Sequence, residues 1–207
     1  MIGPLCIIQA RLNSTRLPHK MLLTLGGETL IARAYRLACE AFGEANVVIA
    51  CPGDDGDAFR AAVPDAQVFA WAGDENDVLG RFYHCAGRYR WNPQSVIVRW
   101  TPDDPFKDRW KCQAVAEGAR FAVEESCEAF TMATLARAQH TTAEDDPVRE
   151  HLGNHRTLMP FAPPPCPAGD GWTVDTKADL LAAGARLLGY DAESVRLYAS
   201  TTLTIPA

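Results

Sequence analysis

The chain has 207 residues, 47% of them hydrophobic and 22% charged, which suits a globular domain with a full core and excludes a disordered chain. A net charge of −6 argues against a nucleic-acid groove as the main partner. No apolar run approaches the length of a membrane span and no signal-peptide pattern precedes the first apolar run, so a cytoplasmic protein without a membrane partner is expected.

Residues 5–8 are apolar and short enough to be a buried strand. The apolar character then stops, and Arg11, Asn13, Ser14, Thr15, Arg16, Pro18 and Lys20 follow. Leu30, Ile31, Ala34, Leu37, Ala38 and Ala41 next mark a helix face. In an α/β protein a loop between strand and helix lies where ligands bind. Three cations with small polar residues suit a polyphosphate, and Pro18 stiffens the loop. The cluster also runs against the acidic balance of the whole chain.

Residues 46–50 and 67–70 read as a second and a third strand. Between them Asp54, Asp55 and Asp57 are expected to cap a helix starting near Ala58. Strand, helix, strand, helix, strand is the pattern of a doubly wound sheet. Residues 73–77 form a polar loop entering a helix whose apolar face includes Val78, Leu79, Phe82 and Cys85, with Glu75 and Asp77 placed to favour the helix dipole. Residues 95–100 are the clearest central strand. Just past its end stand Asp103 and Asp104, where a carboxylate is well placed to hold a divalent ion against phosphates.

The spacing then predicts a helix over 110–125, a strand over 127–132, a helix over 135–139 and another over 145–152. His151 and His155 are four apart, but Gly153 weakens a shared helix, and a packing or hydrogen-bonding His151 is expected over a metal pair. Four prolines within 163–167 make the 160–171 connection extended. Residues 172–180 read as a short strand and then a helix capped by Thr176 or Asp175, with Asp179 in its first turn. The 194–207 tail could add an edge strand or cross to a neighbouring subunit, which leaves a homodimer open. Seven cysteines, odd in number and never in a CxxC pair, read as reduced core residues, and a structural zinc site is not expected.

Four of these blocks, in this order, resemble the cytidylyltransferases that activate sugar acids with CTP. The nearest likeness is to the spore-coat polysaccharide type, a relative of the 3-deoxy-manno-octulosonate and acylneuraminate cytidylyltransferases. The resemblance implies a single-domain Rossmann-like α/β fold over 1–207, with a mostly parallel sheet flanked by helices, as in the nucleotide-diphospho-sugar (GT-A-like) transferases. IIQARLNSTRLPHK resembles the loop that wraps the CTP triphosphate, which implies phosphate contacts from Arg11 and Lys20, with Ala10, Asn13, Ser14 and Thr15 around them. GDENDVLGRFY resembles the block lining the base and makes Asp77 and Arg81 nucleotide-binding candidates. RWTPDDPFKD resembles R-x-T-G-D-x-P-L-x-D, implying Asp103 as a Mg2+ ligand, and TVDTKADL resembles the block whose first aspartate, Asp175 here, is the second ligand. Arg11, Lys20, Asp103 and Asp175 would then be catalytic. Arg149-Glu150-His151 resembles a further R-E-H block.

The chain departs from the pattern at Pro102, where the family has glycine, and at Phe106, where it has leucine. The region around 126–150, which in relatives shapes the acceptor site, is shortened. The implied reaction is Mg2+-dependent transfer of CMP from CTP to a small sugar acid, phosphate or phosphonate, with release of pyrophosphate. A glycosyltransferase of similar fold is the alternative enzyme, but Asp103-Asp104 is not the D-x-D motif such an enzyme carries. A nucleotide-binding protein without an acceptor site is the alternative outside catalysis.

Overall fold

Short, mostly apolar runs build a six-stranded sheet with a layer of helices on each face. The computed structural model describes residues 3–90, 92–117, 122–124, 127–140, 173–190 and 192. In chain order the elements are β1 (Leu5–Gln9), β2 (Thr24–Leu25), β3 (Glu28–Thr29), α1 (Leu30–Phe42), β4 (Val47–Pro52), α2 (Gly56–Ala62), β5 (Gln67–Trp71), α3 (Val78–Tyr89), β6 (Val96–Trp100), α4 (Arg109–Glu117), β7 (Ala122–Glu124), β8 (Cys127–Thr131), α5 (Met132–His140) and α6 (Lys177–Leu187).

The six-stranded sheet has the order β5-β4-β1-β6-β8-β7. β1 pairs in parallel with β4 and β6, and β4 with β5, while β8 runs antiparallel to β6 and β7 antiparallel to β8. This is the mostly parallel α/β sheet that the strand-helix alternation implied. Side chains leave a strand alternately to its two faces. Cys6, Ile8, Ile49, Val98 and Trp100 therefore join one core with residues of α1, α2 and α4. Leu5, Ile7, Val48 and Ile97 join a second core with α3 and α5. β1 lies between β4 and β6, so the loops leaving β1 and β6 open at the same sheet edge, at the point where the strand order reverses.

A third, smaller core of Leu17, Leu25, Leu30, Val174, Ala182 and Ala183 packs the loop after β1 against α6. The β2–β3 hairpin beneath it turns through Gly26 at φ +62° and Gly27 at φ +89°, a conformation that glycine adopts without strain. Thr29 then caps α1, its side chain accepting from the Ala32 N–H at 3.2 Å.

Three expectations need correction. The helix expected over 110–125 ends at Glu117, and Ala122–Glu124 instead pairs with β8, covering an edge that would otherwise present unpaired backbone groups. The strand expected at the start of 172–180 is absent from residues 173–175, whose backbone is spent on the loops around it. The acidic turn at 53–57 provides no side-chain cap for α2: Asp57 pairs with Arg60 at 2.9 Å, and Asp55 reaches a different loop. The second histidine pair member, the R-E-H block, the proline-rich connection and the tail lie outside the described residues. Six cysteines of the described residues are free thiols, five of them buried. Burial pushes the Cys51 thiol up to about 12, which keeps it protonated and unreactive at neutral pH.

Candidate functional site

The ammonium of Lys20 is held by three acceptors from two distant parts of the chain. Its Nζ donates to Asp103 Oδ2 at 3.3 Å, to Asp175 Oδ1 at 3.1 Å and to the Val174 carbonyl at 3.1 Å. Arg16 approaches the same Asp175 Oδ1 at 3.0 Å from the solvent side. Lys20 is 12% exposed, Asp103 and Asp175 about a quarter and Arg16 67%. The inner contacts are thus shielded from water and the outer one is not.

Local chemistry explains each position. Lys20 opens a single 3-10 turn just after His19, whose φ of +54° is rare for a residue carrying a Cβ. That kink brings the turn back under the loop, and Leu12 accepts from both the Ser14 and the His19 N–H. Asp103 stands in the turn after β6. Its neighbour Asp104 is buried and accepts from the Phe106 N–H at 3.0 Å, so the rival carboxylate turns inward and shapes the turn. Asp175 immediately precedes α6, which begins with a capping box. Thr176 accepts from the Asp179 N–H, and Asp179 Oδ2 accepts from the Thr176 N–H at 2.8 Å and from the Asp175 N–H at 3.0 Å. Asp179 therefore fixes the backbone that aims Asp175.

The loop after β1 carries Ala10 to Thr15. Ala10 is buried and its N–H goes to the Ala50 carbonyl at 3.1 Å, and the Ser14 N–H goes to Leu12, so these two amides are committed within the protein. Asp55 accepts the Leu12 N–H at 2.9 Å and pins the loop to the end of β4. That role was not legible from the sequence, since it depends on β4 and β1 being neighbours. Across the opening, Glu75 accepts from the Asn13 side chain at 3.0 Å, and Asn76 accepts from Arg11 at 3.5 Å. The 73–77 loop thus faces the basic loop. Thr15 is exposed in the same loop.

Asp77 and Arg81 have structural positions of their own. Asp77 caps α3, accepting from the Gly80 N–H at 2.8 Å. Arg81 is fully buried and donates through Nη1 to the Glu75 carbonyl at 3.2 Å, while its Nε and Nη2 meet no hydrogen-bond partner among the described residues. Burial depresses its proton affinity, and the nearby Arg11 charge adds to that.

The donor set suits a hard divalent cation. Two carboxylates converge on one positive centre beside a basic loop, and the described residues contain no cluster of three or more His, Cys, Asp or Glu side chains. Magnesium is commonly bound in this way, by one or two carboxylates together with substrate phosphates rather than by a complete protein cage.

Comparison with known proteins identifies the family. The family described as cytidylyltransferase matches residues 5–147, more than half of the chain. The chain belongs to the cytidylyltransferase family. A 3-deoxy-manno-octulosonate cytidylyltransferase from Methylococcus capsulatus is 36% identical over 140 residues, covering 67% of this chain and 51% of that protein. The chain therefore spans about half the length of this curated relative. Among solved structures, a cytidylyltransferase from Leptospira borgpetersenii superposes with a TM-score of 0.72 at 20% identity, covering 100% of both chains. A CMP:2-keto-3-deoxy-manno-octonic acid synthetase complexed with CTP superposes with a TM-score of 0.60 at 16% identity, covering 97% of this chain and 99% of that one. Both likenesses establish the nucleotidyltransferase fold.

Proposed function

We propose that this cytidylyltransferase-family chain transfers CMP from CTP to an oxygen of a small sugar acid, or of a related phosphate or phosphonate, and releases pyrophosphate. The observation that carries the reading is the meeting of Asp103 and Asp175 at Lys20 beneath the basic loop. Family membership and the likeness to a synthetase complexed with CTP support the donor. Arg11, Arg16 and Lys20 bind the β- and γ-phosphates and stabilise charge on the departing pyrophosphate. Asp103 and Asp175 hold Mg2+, which when bound neutralises the triphosphate and polarises the α-phosphate. Asn13, Ser14 and Thr15 line the phosphate path, and Asp77 with Arg81 supports the loop that meets the base. The acceptor oxygen attacks the α-phosphorus as the bond to the bridging oxygen breaks. Pyrophosphate leaves with that electron pair, and the acceptor proton passes to water. No protein nucleophile is needed. The activated sugar would feed polysaccharide synthesis in the cytoplasm, and no helix among the described residues is long and apolar enough to cross a membrane.

The test is pyrophosphate release with Mg2+, each of the four nucleoside triphosphates and a panel of sugar acids, sugar phosphates and phosphonates. Release with CTP and one acceptor class is the expected result. Release with another triphosphate would overturn the donor. CTP binding without turnover on any acceptor would favour the binding-only alternative.

A further inference from the structure

Phe106 stands three residues beyond Asp103, and two guanidinium groups converge on its ring. Arg33 of α1 lies with Cζ 5.8 Å from the ring centroid, and Arg186 in the last turn of α6 lies at 4.5 Å. Arg33 also donates from Nε to the carbonyl of Pro105, the residue before Phe106, at 2.7 Å, and its Nη1 pairs with Glu28 at 2.9 Å. The turn that carries Asp103 is therefore attached to α1 by a hydrogen bond and to α6 by the ring.

This second attachment has a specific geometry. The segment from Val174 through α6, which begins two residues after Asp175, touches the Asp103 turn at both of its ends. At the near end the Val174 N–H donates to the Asp103 carbonyl at 2.8 Å. At the far end Arg186 covers Phe106. The core of Leu17, Leu25, Leu30, Ala182 and Ala183 seats the helix, and the two separated contacts fix its direction relative to the turn itself. That direction sets how Asp175 faces Asp103. We infer that the Arg33–Phe106–Arg186 cluster is a positioning device that sets the mutual placement of the Asp103 and Asp175 carboxylates, with Phe106 as its centre. The inference rests on the proposed metal role of those two carboxylates. Neither Phe106 nor Arg186 touches the reacting atoms; both act through the turn and the helix.

The readout is Mn2+ binding by calorimetry in the presence of CTP and without acceptor, so that no turnover is involved. A cation–π contact is of modest strength, and its loss shifts an equilibrium by several-fold. Phe106→Leu and Arg186→Met should each raise the half-saturating Mn2+ concentration about five- to tenfold, and the double variant should be no worse than either alone. Phe106→Tyr, which keeps the ring, should behave as the parent. Affinity for inorganic tripolyphosphate without metal should not fall, since looser carboxylates can only release Lys20 and Arg16 for phosphate. Removing the Arg186 charge would by itself favour cation binding, so the expected loss has the opposite sign to a bulk charge effect. Additive losses in the double variant, or unchanged Mn2+ binding in both single variants, would overturn the inference while leaving the proposed function standing. Absence of CTP-dependent Mn2+ binding in the parent protein would overturn both.

Discussion

The backbone N–H of Val174 donates to the carbonyl of Asp103 at 2.8 Å, joining two chain segments that both present carboxylates to Lys20. The ammonium sits where the proposed divalent cation would have to act, and Arg16 adds a second positive group to Asp175. Before nucleotide arrives, the acidic and basic halves of the site neutralise each other. A metal ion drawn to the carboxylates frees the cations for phosphate, so metal and nucleotide should bind synergistically.

This arrangement gives a prediction with an unusual sign. Asp175→Asn removes the acceptor shared by Lys20 and Arg16. In the presence of EDTA this variant should bind CTP about threefold to tenfold more tightly than the parent, the scale of one partly exposed ion pair. With Mg2+ the order should reverse. Calorimetry under both conditions, with the fully exposed Asp57→Asn as a control for net charge, checks it. Weaker binding of Asp175→Asn in both conditions would count against mutual neutralisation.

Arg81 has no exposed surface, and two of its nitrogens lack hydrogen-bond partners among the described residues. A buried cation with two unpartnered nitrogens is costly even with Asp55 and Asp77 nearby, so Arg81→Met should leave the melting temperature unchanged or raise it. The same change removes the donor that supports the Glu75 carbonyl, so CTP affinity should fall by about tenfold. A thermal melt and a binding isotherm on one preparation separate the two effects. A large loss of stability would show that Arg81 serves the core instead.

Arg99 and Glu128 form a buried pair across β6 and β8, with Nη1 at 2.7 Å from Oε1 and 2.8 Å from Oε2. Their side chains are only 11% and 4% exposed. Glu128→Ala leaves a buried guanidinium without its main partner and should cost about 3–5 kcal/mol in chemical denaturation. Arg99→Met with Glu128→Leu should recover most of that loss.

Glu28 accepts from Arg36 and Arg33, and the Arg36 hydrogen bond holds its carboxyl below the ordinary carboxylate range. A depressed acid contributes stability above its unfolded pKa, and that contribution disappears as pH falls through the folded pKa. Glu28→Gln should therefore be slightly less stable than the parent at pH 7, by about 1 kcal/mol or less, and the two should converge in acid. Parallel denaturant titrations at pH 7 and below pH 4 check the convergence.

Much of the fold was legible because its signals are local. Continuous apolar runs marked β1, β4 and β6, and the Thr176–Asp179 spacing marked the start of α6. The basic loop at 11–20 was legible because three cations in an acidic chain stand out. The roles that were missed depend on tertiary neighbours. Asp55 looks like a helix cap, and only the adjacency of β1 and β4 turns it toward the Leu12 N–H. The edge strand β7 carries little β-propensity of its own and is set by the open side of β8. Phe106 reads as an ordinary apolar substitution until Arg33 and Arg186 are brought to its ring from helices far apart in sequence.

The most direct test of the account is the Mg2+ dependence of pyrophosphate release from CTP in the parent protein, Asp103→Asn, Asp175→Asn and the double variant. If the two carboxylates hold one functional cation, each single variant should lose at least about a hundredfold in kcat/KM at saturating Mg2+, since several kcal/mol of charge stabilisation go with it, and the double variant should lose little more. Near-parental, Mg2+-independent turnover in either single variant would contradict the account.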